Sequence, residues 1–258
     1  MQSADIGFVF ALRQEAVGIL DRLKHSRKTS GNGWTFHTGK LDNHSVAVVL
    51  AGVGQNNAEA AAHILIDVFA PKILCSAGYA GGLSARLKRS NICIPEQVIR
   101  EHDMQALDLT QPIPQQTLSM PDKLTLITVG NVVESPKQKQ DLHTRTAAEI
   151  VDMETFAVAE VCRIREVPFR SIRVIFDAFD DRIPKDIAKI LDNTGKGVSH
   201  LSGSIVGSIL SRPSVMLDLV SLKRRAFAAS ERLALFAVEE LTRRKSDGEM
   251  TIPTSREQ

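Results

Sequence analysis

Along the 258-residue chain, apolar positions repeat with two periods, one of strand and one of helix. DIGFVFA (Asp5 to Ala11) is a short apolar run that reads as a buried strand. LRQEAVGILDRLK follows it and sets Ala16, Ile19, Leu20 and Leu23 at helical spacing. WTFHTGKLDNHSVAVVLAG divides into two strand-like halves around Leu41-Asp42-Asn43-His44, a hairpin signal. QNNAEAAAHILIDVF is an alanine-rich helix. KILCSAG is a further buried strand, ending in what reads as a Gly-rich turn, GYAGGL. SNICIPEQVI and LTLITVGNVVES are strand-like. In SPKQKQDLHTRT, Ser135 is placed to cap a helix that starts at Pro136. AEIVD then predicts a strand, METFAVAEVCRIRE a helix and PFRSIRVIFDAF a strand.

Strands alternating with helices predict an α/β fold with helices on both faces of the sheet, and the hairpin makes that sheet mixed. No internal repeat is present. The expected organisation is an α/β domain over 1–190, then a helical extension over 191–248 packed on the same domain. A polar tail over 249–258 is expected to fray. LDNTGKG (Leu191 to Gly197) separates body from extension, and SRP (Ser211 to Pro213) divides the extension into two helices.

Apolar residues make up 43% and charged residues 24%, as in ordinary soluble domains. A formal net charge of +2 gives no electrostatic case for a nucleic-acid partner. One Trp and one Tyr offer no stacking platform for bases along a strand. Cys75, Cys93 and Cys162 form no CxxC pair and read as buried reduced thiols. The first residues lack a basic segment followed by a long apolar one, and no run approaches the ~20 apolar residues of a membrane span, so a cytoplasmic protein is expected. The histidines are scattered without metal-ligand spacing, so no metal is expected. AGVGQNNA (Ala51 to Ala58) hints at a dinucleotide fingerprint, but Asn57 stands where the third glycine belongs, and no cofactor is expected. Ser76 lies in CSAG, not in a G-x-S-x-G elbow.

Ligands of open α/β sheets sit beyond the carboxyl ends of strands. Arg13-Gln14-Glu15 follows the first strand, Gly78 to Gly82 the KILCSAG strand, and Asp152-Met153-Glu154 the AEIV strand. Asp177 follows RSIRVI, with Arg173 four residues earlier. Three of these carboxylates, Glu15, Glu154 and Asp177, with Arg173 and a glycine turn, are thus expected on one rim.

VDMETFAVAEVC, RVIFDAFDD, SAGYAGGL and ALRQEAVGIL together resemble the nucleoside phosphorylase and nucleosidase superfamily, nearest to its 5′-methylthioadenosine/S-adenosylhomocysteine nucleosidase branch. The resemblance runs from Asp5 to Asp181 with the motifs in order. The tail, with RIPKDI, DNTGKG and SRP before a long helix, resembles more loosely the hopanoid-biosynthesis-associated nucleosidases. The resemblance implies a three-layer α/β/α sandwich, a homodimer, and cleavage of the N-glycosidic bond between a purine and ribose. Such cleavage passes through an oxocarbenium-like sugar cation and needs an acid for the leaving base and a base for water. By the resemblance, Glu15 positions and deprotonates water, Asp177 protonates the purine N7, and Arg173 stands near the water and the acids. Glu154 accepts the ribose hydroxyls and Met153 packs on the sugar face. Asp152 closes the strand–helix turn and counts with the substrate-binding residues. Tyr79, Ala80 and Gly81 lie beside the ribose and nucleophile.

Three positions depart from the nucleosidase pattern. Tyr79 and Phe176 each stand where the family usually has Ser, and the aromatic that stacks on the purine is replaced by Val132 or Val133. Two other readings share the same residues: a phosphorylase, for which Arg13 is the supporting feature, and a nucleoside-binding protein without turnover.

Plainer roles exist for each residue. Glu15 and Glu154 could complement a helix dipole, Asp177 could be a solvated turn residue, and Arg173 could be a structural ion-pair partner. The C-terminal helix LVSLKRRAFAASERLALFAVEEL, with Lys223, Arg224 and Arg225, is expected to pack on the domain or on a dimer partner. A peripheral membrane contact, or part of a mouth for a greasy substrate, is its alternative.

Overall fold

In the computed structural model, which describes residues 3–31, 33–109, 124–183 and 213–246, a mixed sheet runs between two layers of helices. The strands are β1 (Ile6–Phe10), β2 (Lys24–Gly31), β3 (Trp34–Leu41), β4 (His44–Leu50), β5 (Ile73–Gly82), β6 (Ile92–Cys93), β7 (Gln97–Arg100), β8 (Ala106–Asp108), β9 (Thr125–Thr128), β10 (Ile150–Asp152) and β11 (Phe169–Asp177). The helices are α1 (Arg13–Leu20), α2 (Gln55–Phe69), α3 (Pro136–Thr146), α4 (Thr155–Ile164) and α5 (Pro213–Ser246). Strand order is β2-β3-β4-β1-β5-β10-β9-β7-β8, and β11 pairs with the other edge of β5 and with β6. β4, β1, β5 and β11 run parallel, whereas the β2-β3-β4 meander, β10 against β5 and the short β6 and β8 pairings are antiparallel.

Alternation along the buried strands assigns the two faces, because successive side chains point to opposite sides. Ile6, Phe8 and Phe10 of β1 and Ile172 and Val174 of β11 meet α1 and α5. Val9 and Ile175 join the opposite layer, where Ala58, Ala61, Ala62 and Leu65 of α2 pack with Phe156, Val158 and Val161 of α4. A third cluster places Leu142 of α3 on Ile127, Val129 and Val151, around the end of β10.

The hairpin forms where the sequence signals it, with Leu41 paired to His44 and Asp42 in the left-handed region at φ 53°. Ser135 caps α3 by accepting from Gln138 N–H, with Pro136 as the first helical residue. Two expectations are corrected. SNICIPEQVI forms two short strands, β6 and β7, because Pro95 lies between them and carries no N–H for a ladder. GYAGG is not a turn: β5 continues through it to Gly82, paired to β11 and β10. β2, KHSRKTSG, is exposed along its whole length and has no apolar alternation that would announce it.

α5 begins at the Pro213 that SRP marks. LDNTGKG, the helix expected before SRP and the 249–258 tail lie outside the described residues. Between 223 and 239, α5 turns Ala229, Leu233, Ala234 and Ala237 into the domain against Ala16 and Ile19 of α1. The helices approach closely at Gly18, where an added Cβ would stand 2.6 Å from the Ser230 carbonyl oxygen. Ser230 Oγ accepts from Gly18 N–H at 2.8 Å and donates to the Glu15 carbonyl at 3.0 Å. Arg22 and Glu231 form a two-pronged ion pair between the same helices. No helix among the described residues is long and apolar enough to cross a membrane.

Candidate active site

The carboxyl ends of β1, β5, β10 and β11 open onto a largely apolar cavity of about 420 Å³, within the roughly 300–1,000 Å³ common for small-molecule sites. Glu15, Glu154 and Asp177 all line it. So do Asp152, Met153, Tyr79, Ala80, Gly81, Val132, Val133 and Phe176. Arg173 is not on the cavity wall, and neither is Arg13.

Glu15 reaches its place through the backbone. Its Oε2 accepts from Leu12 N–H at 2.8 Å, which satisfies an open donor of the α1 start, and its Oε1 accepts from Tyr79 N–H at 2.9 Å. The helix-start role and the cavity role thus belong to one carboxyl group. Burial pushes this carboxyl up from its ordinary value, against the pull of the Tyr79 and Leu12 amides and Arg173.

Glu154 stands at the N-cap position of α4 but makes no capping hydrogen bond. Asp152 serves the helix start, its Oδ2 accepting from Thr155 N–H at 2.9 Å and from Thr155 Oγ1 at 2.6 Å. Asp152 Oδ1 accepts from Thr128 Oγ1 at 2.7 Å, so both its oxygens are engaged by the protein. Glu154 is left to face the cavity, with Oε1 accepting from Gly54 N–H at 2.7 Å. Gly54 lies in the AGVGQNNA turn at φ 98°, so that segment supplies a backbone donor to a carboxylate. Burial first, then the charges of Asp152 and Glu15, push the Glu154 carboxyl up to about 8.

Asp177 ends β11. Ile175 pairs with Ala80 and Asp177 with Gly81, so Phe176 is an extra residue, a bulge of the kind that re-aims a side chain. Burial pushes the Asp177 carboxyl up, and Lys139 is the largest influence against it. Lys139 Nζ lies 2.5 Å from Asp177 Oδ2 with the lysine side chain fully buried. No sequence signal separates Lys139 from its exposed neighbour Lys137.

Arg173 stands behind the wall. Its Nη2 lies 2.8 Å from Asp152 Oδ2, and the guanidinium donates to Thr155 Oγ1 and Ser76 Oγ. Arg173 Nη1 and Glu15 Oε1 both come within 3 Å of the point a Cβ on Gly78 would occupy, at 2.8 and 2.7 Å. Glycine is required there because two buried side chains cross over the strand.

The two departures at aromatic positions form one unit. The Tyr79 and Phe176 rings stack with centroids 4.9 Å apart. The Tyr79 hydroxyl lies 2.8 Å from the Ala226 carbonyl of α5 and 3.0 Å from that of Gln14, and donates to one or the other. Asn131, Val53, Arg182, Ile183 and Ala226 also line the cavity and were not singled out in the sequence, whereas Lys223 and Arg225, which also line it, belong to the helix for which a substrate mouth was one reading.

Comparison with known proteins gives a consistent result. The family model described as Phosphorylase superfamily matches residues 5–125 and 122–209. A 5′-methylthioadenosine/S-adenosylhomocysteine nucleosidase of Colwellia psychrerythraea is 28% identical over 242 residues, covering 80% of this chain and 98% of that protein. A crystal structure of a nucleosidase of that name from the same organism, in complex with adenine, matches with a TM-score of 0.60 at 26% identity, over 80% of this chain and 96% of that one. The Neisseria meningitidis nucleosidase in complex with methylthio-immucillin-A matches with a TM-score of 0.62 over 91% of this chain and 98% of that one. At 19% identity that last likeness speaks for the fold alone.

Proposed function

This chain belongs to the phosphorylase superfamily, and from that premise we propose that it hydrolyses the N-glycosidic bond of a 5′-substituted adenosine and releases adenine. The observation that carries the proposal is the meeting of three buried carboxyls, Glu15, Glu154 and Asp177, on one apolar cavity, each pushed toward its protonated form by burial. Environments of this kind tune acids toward proton transfer near neutral pH.

In this reading Asp177 gives its proton to N7 of the purine as the C1′–N9 bond breaks and the bonding pair moves to the base. Glu15 takes a proton from water as its oxygen bonds to C1′. Glu154, which follows Met153, accepts hydrogen bonds from the ribose hydroxyls while positive charge builds on the sugar. The relatives carry the names methylthioadenosine and S-adenosylhomocysteine nucleosidase, and both compounds are candidate substrates. Adenosyl hopane is a third, on the resemblance of the tail. Family resemblance extends the proposal to a homodimer, and the expected reduced thiols favour a cytoplasmic location.

Water is favoured over phosphate as nucleophile by two features. Glu15 sets a carboxylate where an incoming anion would lie. Arg13, the residue that spoke for a phosphorylase, is not on the cavity wall among the described residues. Measuring adenine release from 5′-methylthioadenosine in phosphate-free buffer tests this. Turnover that phosphate does not stimulate is the expected result, and a strict phosphate requirement overturns hydrolysis. Absence of turnover on every 5′-modified adenosine, with adenine still bound, would establish the binding protein instead.

A further inference from the structure

α3 carries one of the most polar helix sequences in the protein, PKQKQDLHTRT, and buries only Lys139 and Leu142. Burying an ammonium costs several kcal/mol unless its donors are matched, so a lysine with no solvent exposure needs a reason. Lys139 Nζ has three N–H donors and meets three acceptors: Asp177 Oδ2 at 2.5 Å, the Ala178 carbonyl at 2.5 Å and the Asp181 carbonyl at 3.3 Å.

The two oxygens of Asp177 are not equivalent. Oδ2 is sealed from solvent beside the ammonium, although the contact lacks the alignment of a hydrogen bond. The side chain as a whole keeps 12% of its surface open and lines the cavity. Among the described residues Oδ1 has no hydrogen-bond partner. The next residues are held as well: the Asp181 carboxylate accepts from Ala178 N–H at 2.7 Å and pairs with Arg89. The charged groups around Asp177 are therefore Lys139, Asp181 and Arg89, with Lys139 in direct contact.

We propose that Lys139 is a positioning residue for the leaving-group acid. It pins Oδ2 of Asp177 so that Oδ1 is the oxygen that carries the proton to the base, and it neutralises the carboxylate left behind. The inference rests on the hydrolase reading above. The balance is simple: the proton leaves Oδ1 for the purine nitrogen, the C1′–N9 electron pair moves into the base, and the new anion on Asp177 already has a cation against it. Burial alone would keep the proton on Asp177, and the ammonium makes its departure possible.

The test uses two leaving groups. 5′-Methylthioadenosine needs its base protonated, whereas a 4-nitrophenyl riboside with the same 5′-methylthio group expels a stable anion without help. For Lys139→Met we expect kcat for adenine release to fall about 100-fold, with KM and nitrophenolate release within about threefold of wild type. Asp177→Asn should show the same split between substrates. Lys139→Arg should recover part of the loss, and Lys139→Gln, which keeps a donor without the charge, should not. Equal loss on both substrates in a folded variant, or undiminished adenine release, overturns the proposal. If the Met and Gln variants both fail to fold, Lys139 belongs to the framework and the proposal is likewise overturned. Wild-type protein that releases adenine from no adenosine at all defeats the hydrolase reading itself, an outcome distinct from these.

Discussion

Replacing Arg173 with methionine asks whether its guanidinium holds the site together or acts within it. The residue is 2% exposed in the middle of β11 and lies 2.8 Å from Asp152 Oδ2. It also donates to Thr155 Oγ1 at 2.6 Å and to Ser76 Oγ at 2.5 Å. The Asp152 side chain is as deeply buried, and its remaining partners are the neutral donors of Thr128 and Thr155. Methionine would leave that carboxylate without its cation, and breaking a buried pair from one side costs about 3–5 kcal/mol. At about 2–4 °C per kcal/mol for a domain of this size, the melting temperature should drop by about 6–20 °C. Calorimetry and urea unfolding measure the loss. The double variant Arg173→Met, Asp152→Asn removes the stranded charge and should recover part of it, with a coupling of about 0.5–3 kcal/mol. A stability within about 1 kcal/mol of wild type, accompanied by a collapse of kcat, would refute the reasoning and place the guanidinium in the reaction.

Glu154→Gln tests the buried acid through pH. The ordinary glutamate value is 4.5 and burial with Asp152 and Glu15 lifts the folded value to about 8. Between those limits the unfolded chain has lost a proton that the folded chain keeps. The stabilisation is therefore full below pH 4.5 and lost as pH rises toward 8. The urea midpoint of wild type should fall from pH 5 to pH 8 more steeply than that of the Gln variant, and equal slopes would sink the assignment. Tyr79→Phe removes the hydroxyl that reaches α5 while keeping the ring stack and the backbone N–H that holds Glu15. We expect a loss of about 1 kcal/mol in stability and unchanged kcat, and a kcat reduced tenfold or more would show the hydroxyl at work in the reaction.

Legibility in the sequence followed the physics of each signal. Apolar periodicity announced β1, α2, α4 and β11 because burial selects side chains in a repeating way. β2 was silent because an exposed edge strand needs no apolar face. The Asp152-Met153-Glu154 junction was readable, since two acids at the end of an apolar strand are costly unless they cap or bind. The division of labour between them was partly foreseen, Asp152 closing the turn and Glu154 facing the cavity. Arg173 was visible as a charge inside an apolar strand, but nothing in one dimension distinguishes a wall residue from one standing behind it. Lys139 was hidden because a lysine at helical spacing is ordinarily solvated. The bulge at Phe176 was equally hidden, because register is a property of two strands. GYAGG misled because glycine signals a turn whenever its reason is local, and here the reason is the approach of other side chains.

That stretch of β5 is the frame of reference for all three acids. The Tyr79 amide holds Glu15. Gly81 pairs with Asp177 on one edge and with Val151 on the other, one residue before Asp152 and three before Glu154. A Cβ on Gly81 would stand 2.9 Å from Val151 Cγ1 and 3.3 Å from Asp177 Oδ2, and one on Gly78 would displace Glu15 or Arg173. Side chains on these glycines would push the acids apart, so the strand is nearly bare where the elements converge. Its one large side chain, Tyr79, instead stacks on Phe176 and reaches the backbone of α1 or α5. α5 then braces the Glu15 helix through Ser230 and Glu231. The spacing of the acids is thus set by backbone in β5 and by packing behind it, which is how flexible carboxylates can be held to the tolerance that proton transfer demands.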